Sequence, residues 1–493
     1  MSLSHNPVKI ERNRKMARNI TSRKDDYSQW YLDVIKVAEL ADYAPVRGCM
    51  IIRPTGYSLW ESVRDHFDTR FKETGHVNAY FPLLIPSSFL EKEAEHVEGF
   101  APECAVVTHA GGEELEEPLV VRPTSETVIG HMYSKWVQSW RDLPILINQW
   151  SNVMRWEKRP RLFLRTSEFL WQEGHTAHST KEEAIEETLK MLEVYRSIMT
   201  DILALPVIAG EKSAGERFPG AVNTYTCEGM MSDKKALQAG TSHFLGQNFA
   251  KAFDIKFQNK DLDVEYAWTT SWGVSTRLIG AIIMTHSDDD GLVLPPRVAP
   301  TKVAILPISK SEEVLNEKLI PLAEEIAGKL NKILGGLHVE VDKRFYMRPG
   351  DRFFYHLQKG VPLRLEIGER DLEKNSVMSV RRDNAGKEMI DIDQIEKKVP
   401  DILESIQDAI YKKALNFRKE NTHTVSTFDE FRDILDTKGG FIRAFFAGDV
   451  AQEKEIKEAT GATVRCFPLE ESRGKCFYTG KDNARMALFA KSY

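Results

Sequence analysis

The chain is poor in cysteine. Its 493 residues hold five, at positions 49, 104, 227, 466 and 476, with no paired spacing. That scatter excludes a disulfide framework and reads as reduced, intracellular thiols. No uncharged apolar run of about 18 residues appears, so no membrane span is expected. No secretory pattern opens the chain, and there is no internal repeat. Neither a cysteine nor a serine stands out as a nucleophile. These absences point to a cytoplasmic protein that works without covalent catalysis.

What is present is the composition of a well-packed globular chain, 42% hydrophobic and 28% charged. Its length suggests roughly two to four domains. The net charge is −6, so any nucleic-acid contact must come from local basic stretches. One runs through Lys9, Arg12, Arg14, Lys15, Arg18, Arg23 and Lys24. It reads as a solvated tail, a nucleic-acid-contacting arm or a presequence, and Glu11, Asp25 and Asp26 weaken the last. The other is Lys158-Arg159-Pro160-Arg161.

Periodicity supplies the elements. Leu59, Val63, Phe67 and Phe71 make one helical stripe, and the spacing predicts a helix over 58–73 opened by a Ser58/Glu61 capping box. A proline-bearing strand is expected over 78–85, a short helix capped by Ser88 and Glu91, and a third helix on Val128, Met132, Trp136 and Trp140. Long antiparallel strands should flank a basic turn between 145 and 175, and a strand should run into an apolar helix over 264–286. Beyond the linker 291–300, strands at 302–308, 338–342 and 361–367 alternate with helices at 312–334 and 350–359, a βαβ pattern with a mostly parallel sheet. The expected fold is therefore an α+β domain with an antiparallel active-site sheet, then an α/β domain, then a small mixed domain. The expected limits are 1–24 for the basic segment, 25–299, 300–415 and 416–493.

Residues two apart on a strand share a face. Arg155 and Glu157 should thus point together, and Arg165, Phe169, Trp171, Glu173 and His175 should share one face of the returning strand. Such a set of charges needs partners or a ligand. The pattern Arg-x-Glu, a loop, then Arg-x-x-x-Phe-x-x-x-Glu resembles the second motif of class II aminoacyl-tRNA synthetases. Gly273-Val-Ser275-Thr276-Arg277 entering an apolar helix resembles their third motif, where Ser275 or Thr276 suits an N-cap. Gly75 to Leu84 resembles the first, which builds a homodimer interface in that class. Arg122-Pro-Thr124-Ser125-Glu126, the 171–175 pentapeptide, Glu216-Arg-Phe218-Pro-Gly and Gln238-Ala-Gly-Thr241-Ser-His243 resemble the prolyl-tRNA synthetase family.

The resemblance implies roles. Arg155 and Arg277 are the catalytic arginines. Arg155 bridges the ATP α-phosphate and the amino-acid carboxylate, Glu157 meets the adenine amino group, and Phe169 stacks on the adenine. Arg165, Thr166, Gln238, Thr241 and Ser275 complete the ATP set. Thr124, Glu126, Trp171, Glu173, His175, Phe218 and His243 form the proline pocket, with Glu126 against the secondary ammonium where threonyl enzymes carry a zinc cysteine. Arg159 and Arg161 face phosphates or the tRNA acceptor end. Segment 302–415 resembles the anticodon-binding domain, with Arg364, Glu366 and Arg370 as base readers. Magnesium accompanies ATP. The partners implied are L-proline, ATP, tRNA(Pro) and a second copy of the chain.

Two departures refine this. The subtype named archaeal/eukaryotic-like carries four C-terminal zinc cysteines. The matching positions here are Ala447, Gln452, Cys476 and Thr479, and one thiolate does not make a tetrahedral site, so no structural zinc is expected. Only about 95 residues part Glu173 from Trp268, which leaves no room for the bacterial-type proofreading insertion. The missing insertion, with the terminal Tyr493 that the subtype shares, places the chain in that subtype, from which the lost zinc cysteines are a departure. Alanine lacks two ring methylenes, each worth about 1–3 kcal/mol, so some alanine or cysteine activation is expected, uncorrected by this chain. The competing readings are a threonyl or other small-amino-acid synthetase, a non-catalytic tRNA-binding paralogue, and an amino-acid:carrier ligase.

Overall fold

The computed structural model describes residues 19–90, 104–470 and 472–493. The basic positions up to Arg18, and Glu91, lie outside them. Arg23 is docked on the body: its guanidinium pairs with Asp289 at 3.3 Å and lies over the Trp30 ring.

Helix α1 (Tyr27–Val37) and helix α2 (Pro54–Glu73) pack on the main sheet. The Leu59, Val63, Phe67 and Phe71 stripe is buried as expected. The start of α2 differs: Pro54 opens it after Arg53, which leaves Ser58 inside the helix rather than capping it. Proline suits a first helical position because its missing N–H would be unpaired there anyway. The proline-bearing strand shrinks to β1 (Val77–Asn78), with Leu84–Pro86 in a separate three-stranded sheet. Helix α3 (Glu126–Trp136) buries Ile129 and Tyr133, one position away from the expected Val128 and Met132 face, and Trp140 falls in a separate turn.

The expected hairpin is present as β2 (Ile145–Met154) and β3 (Glu168–His178) in antiparallel register, Gln149 opposite Glu173. The loop between them is longer than a turn, so Arg155, Glu157 and Arg165 lie off the strands. Helix α4 (Lys181–Asp201) starts at a Thr180/Glu183 capping box. Strands β4 (Ile208–Glu211), β5 (Asn223–Met230), β6 (Ala236–Gly246) and β7 (Trp268–Ser275) follow, then helix α5 (Arg277–His286). The order β4-β5-β6-β7-β3-β2-β1 is antiparallel up to β2. The span from Glu173 to Trp268 is thus used up by the sheet, α4 and short connections. Gly174 sits against the Trp272 ring, 2.1 Å from where a Cβ would be, so no larger residue fits there.

The α/β unit has the five-stranded order β9-β8-β10-β11-β12, built from β8 (Val303–Ile308), β9 (Val339–Val341), β10 (Leu363–Gly368), β11 (Ser376–Arg381) and β12 (Lys387–Asp391). The first three are parallel, as the βαβ pattern requires, and the last two are antiparallel. A helix α6 (Ile395–Glu420) leads on, and the expected 415/416 limit falls inside it. The C-terminal strands β13 (Thr422–Thr424), β14 (Phe441–Phe446), β15 (Thr463–Pro468) and β16 (Ala484–Ala490) extend the main sheet through β15 beside β4.

A buried charge cluster locks that junction. Glu228 of β5 takes Lys212 at 2.9 Å and Arg465 of β15 at 3.1 Å, all three in the interior. Burial works to raise the Glu228 carboxyl, but the two cations outweigh it and hold it below the usual range. Glu228→Leu leaves two buried cations unpaired and should cost about 3–5 kcal/mol, read as a lower denaturation midpoint. A group with a depressed folded pKa stabilises above its unfolded value and loses that contribution as pH falls through the folded one. The variant's deficit should therefore shrink below about pH 4.

Candidate active site

The exposed face of β3 opens on a hollow of about 330 Å³. Thr124, Glu126, Arg155, Phe169, Trp171, Glu173 and His175 line it from one side, and Phe218, Gln238, Thr241, His243, Ser275 and Arg277 from the other. Glu157, Arg165 and Thr166 do not line it. Glu157 pairs with Arg165 at 3.3 Å in the loop, and the Thr166 hydroxyl donates to the Glu168 carbonyl.

One end of the hollow is acidic. Glu173, 3% exposed, accepts hydrogen bonds from Ser125 Oγ (2.5 Å), Ser125 N (3.2 Å) and Gln149 Nε2 (2.8 Å), and meets His175 Nε2 at 3.0 Å. Burial opposes charge on both members of that pair. Their mutual hydrogen bond and charge, together with the Ser125 and Gln149 donors for Glu173 and the Glu126 charge for His175, outweigh it and hold the Glu173 carboxyl low and the His175 imidazole high. Glu126, at the start of α3, accepts from the Thr124 hydroxyl. His243 is the opposite case. Burial, then the charge on His175, pushes it down to about 3, so it is neutral at working pH. Thr224 Oγ1 holds its Nδ1 at 3.0 Å, and Phe218 packs on it with ring centroids 4.5 Å apart.

The other end is basic. Arg155 donates to the Pro123 carbonyl (3.0 Å) and lies over Phe169 and Trp171, 5.7 and 5.3 Å from the ring centroids. Arg277 opens α5 and donates to the Leu164 carbonyl (3.2 Å). Burial, then Arg165 and Arg155, push Arg277 down to about 10, still a cation. Neither Arg155 nor Arg277 forms an ion pair among the described residues. Thr276 is the N-cap of α5 but makes no side-chain cap, and Ser275 Oγ instead accepts from the Arg277 N–H at 3.3 Å. Unneutralised arginines around a helix N-terminus make a polyanion site.

Glu126, Glu173 and His175 are the one metal-like group among the described residues, their ligand atoms within 4.8 Å of one another. Both Glu173 oxygens are already committed to N–H and O–H donors. The arrangement suits a cation that itself brings hydrogen-bond donors, such as an ammonium, better than a bare metal ion.

Several supporting residues escaped the sequence reading: Ser125, Gln149, Thr224 and the ring of Trp272. Gln149 and Thr224 reach the site only through cross-strand register, opposite Glu173 and His243. Arg161 departs from its expected outward direction. Its guanidinium lies between the Tyr31 and Tyr493 rings, 5.0 and 5.3 Å from their centroids, while Arg159 is exposed. Arg364 and Glu366 are tied to each other at 2.8 Å, with Arg364 over the Phe353 ring; Arg370 is exposed. At the C-terminal unit, the Cys476 sulfur accepts from Ala447 N (3.4 Å) and Thr479 N (3.3 Å). No helix is long and apolar enough to cross a membrane among the described residues.

Arg277→Met removes a charge that burial, Arg165 and Arg155 all disfavour. The ligand-free protein should melt at the same temperature or higher. The stabilisation by ATP, about 2.7 kcal/mol at a hundredfold excess over Kd, should vanish in a thermal-shift titration.

Comparison with known proteins agrees with this geometry. Residues 107–286 match the model of the tRNA synthetase class II core domain (G, H, P, S and T), 302–402 that of an anticodon binding domain, and 428–493 that of the prolyl-tRNA synthetase C-terminal domain. The chain is 54% identical to a proline–tRNA ligase of Bacteroides fragilis, over 97% of this chain and 100% of the relative. It is also 54% identical to one of Roseiflexus sp., over 96% and 99%. A crystal structure of the Cryptosporidium parvum prolyl-tRNA synthetase, complexed with halofuginone and AMPPNP, superposes with a TM-score of 0.92 at 42% identity, covering 97% of this chain and 100% of that one. The antiparallel sheet, the arginine-rich nucleotide end and these matches together establish that the chain belongs to the prolyl-tRNA synthetase family of class II aminoacyl-tRNA synthetases.

Proposed function

We propose that the two ends of this hollow divide the work of a proline–tRNA ligase. The chain activates L-proline with ATP and passes the prolyl group to the 3′ end of tRNA(Pro). The observation that carries the reading is one pocket with buried carboxylates at one end and unneutralised arginines at the other, in a chain so similar to proline–tRNA ligases. Proline's secondary ammonium faces Glu126 and Glu173, and its ring packs against Trp171, Phe218 and neutral His243. Its carboxylate then lies toward Arg155. A carboxylate oxygen attacks the α-phosphorus of ATP in line, and the bond to pyrophosphate breaks with its electron pair leaving on pyrophosphate. Arg155 and Arg277 offset the charge that builds up. In the second step a terminal ribose hydroxyl takes the prolyl carbonyl and AMP leaves. Magnesium keeps mostly water and phosphate oxygens as ligands, so it is proposed to enter with ATP and to add charge neutralisation there.

Further proposals rest on single observations. The domain limits proposed remain 25–299, 300–415 and 416–493. The archaeal/eukaryotic-like subtype is supported by the C-terminal domain and by the missing insertion. Absence of structural zinc is supported by Cys476, whose sulfur meets backbone N–H groups at the positions where thiolates would stand. Arg159 and Arg370, exposed, remain proposed tRNA contacts, and a cytoplasmic location fits the reduced thiols. A homodimer is supported by apolar side chains around β1 that have no cover in the single chain, Val77 at 62% and Tyr80 at 72% exposure. A threonyl enzyme is disfavoured by a carboxylate at Glu126, and a non-catalytic paralogue by the presence of Arg155, Arg165 and Arg277 together.

ATP–pyrophosphate exchange across twenty amino acids should be led by proline, and exchange led by another amino acid would overturn the pocket assignment. Glu126→Gln should lower kcat/KM for proline by about 100-fold, the scale of removing one partner of a buried charged pair, without changing the KM for ATP much. Tyr80→Asp should convert a dimer to a monomer by light scattering, and a mass unchanged at the monomer value in the parent chain would refute the interface.

A further inference from the structure

A second hollow, of about 740 Å³, lies on the other face of the sheet. That side is set by α4, whose Tyr195 hydroxyl donates to Gln172, a residue that alternates with the pocket-lining Trp171 and Glu173. Three units meet around it: α4 and β4, the end of α6, and strands β13 to β15. Its volume is within the roughly 300–1,000 Å³ of small-molecule sites, which favour domain junctions.

Its lining is two-natured. Leu192, Val207 and Leu488 form a buried apolar floor, and Leu189 stands exposed at the mouth. The wall is cationic. Arg418 spends one nitrogen on the Pro206 and Val207 carbonyls, each at 3.0 Å. Half-buried Arg443 on β14 has no side-chain hydrogen bond and no ion pair among the described residues. The carboxylate of Glu193 is already taken by Arg196, which leaves Glu470 at the rim as the acid against Arg418, Lys419 and Arg443. A half-buried guanidinium beside an apolar floor, in a wall where one rim carboxylate faces three cations, is a costly arrangement unless an anion fills it.

We infer that this hollow binds an amphipathic oxyanion, a single carboxylate or phosphate headgroup on an apolar tail. Arg443 and Arg418 take the headgroup, and the tail lies along Leu192, Val207 and Leu488. Because the ligand touches all three units, its binding also raises their common melting temperature.

The probe is 1-anilinonaphthalene-8-sulfonate, titrated into the full chain with proline and a non-hydrolysable ATP analogue saturating the catalytic pocket. One saturable equivalent should bind. Decanoate and decyl phosphate should displace it, their order revealing the headgroup, and uncharged decanol should do so about tenfold less well. Arg443→Gln should weaken binding about tenfold or more while leaving ATP–pyrophosphate exchange unchanged. Leu189→Glu, at an exposed position that tolerates the change, should also block binding. Absence of saturable binding, equal displacement by decanol, or full affinity in both folded variants would overturn the site.

Discussion

The interior carboxylate of Glu173 is the constraint around which the rest of the active site is arranged. A buried charge must be satisfied, and no single element supplies its partners. Ser125 comes from the start of α3, Gln149 from the facing strand β2, and His175 from two residues along β3. Satisfying Glu173 therefore fixes the register of the hairpin and the approach of α3. That approach carries Thr124 and Glu126 into the pocket. The same hydrogen bonds that lower the cost of the charge build the acidic end of the hollow.

The basic end is held in the opposite condition. Arg165 and Arg155 repel Arg277, and neither Arg155 nor Arg277 forms an ion pair among the described residues. The hollow thus has a carboxylate end at Glu126 and Glu173 and an arginine end at Arg155 and Arg277. The two histidines are separated by the same field. The carboxylates of Glu173 and Glu126 push His175 up despite its burial, whereas burial, and then the charge on His175, push His243 down.

The C-terminal unit is part of this machinery by geometry rather than by sequence proximity. Strand β15 continues the catalytic sheet, Arg465 neutralises Glu228 beneath it, and the last residue stacks on Arg161 in the loop that also carries Glu157 and Arg165. Tyr493 is further anchored through its hydroxyl to Asp233 at 2.6 Å. The loop between β2 and β3 is thus clamped between Tyr31 near the beginning of the chain and Tyr493 at its end.

Local pattern was enough for much of this. The α2 stripe, the β2–β3 hairpin, the strand into α5 and the βαβ succession were legible because each depends on short-range periodicity and turn chemistry. The pocket residues were legible through the resemblance of their motifs to class II synthetases, and the fold brings most of them to one hollow. Tertiary structure alone decided what depends on register and on distant chain. It placed Gln149 and Thr224 at the site through cross-strand partners, took Glu157 and Arg165 out of the hollow by lengthening a loop, and folded Arg161 inward against a ring more than 300 residues away. Pairing between strands, and the burial and neighbouring carboxylates that shift two histidines in opposite directions, belong to the assembled sheet and are written in no single stretch of sequence.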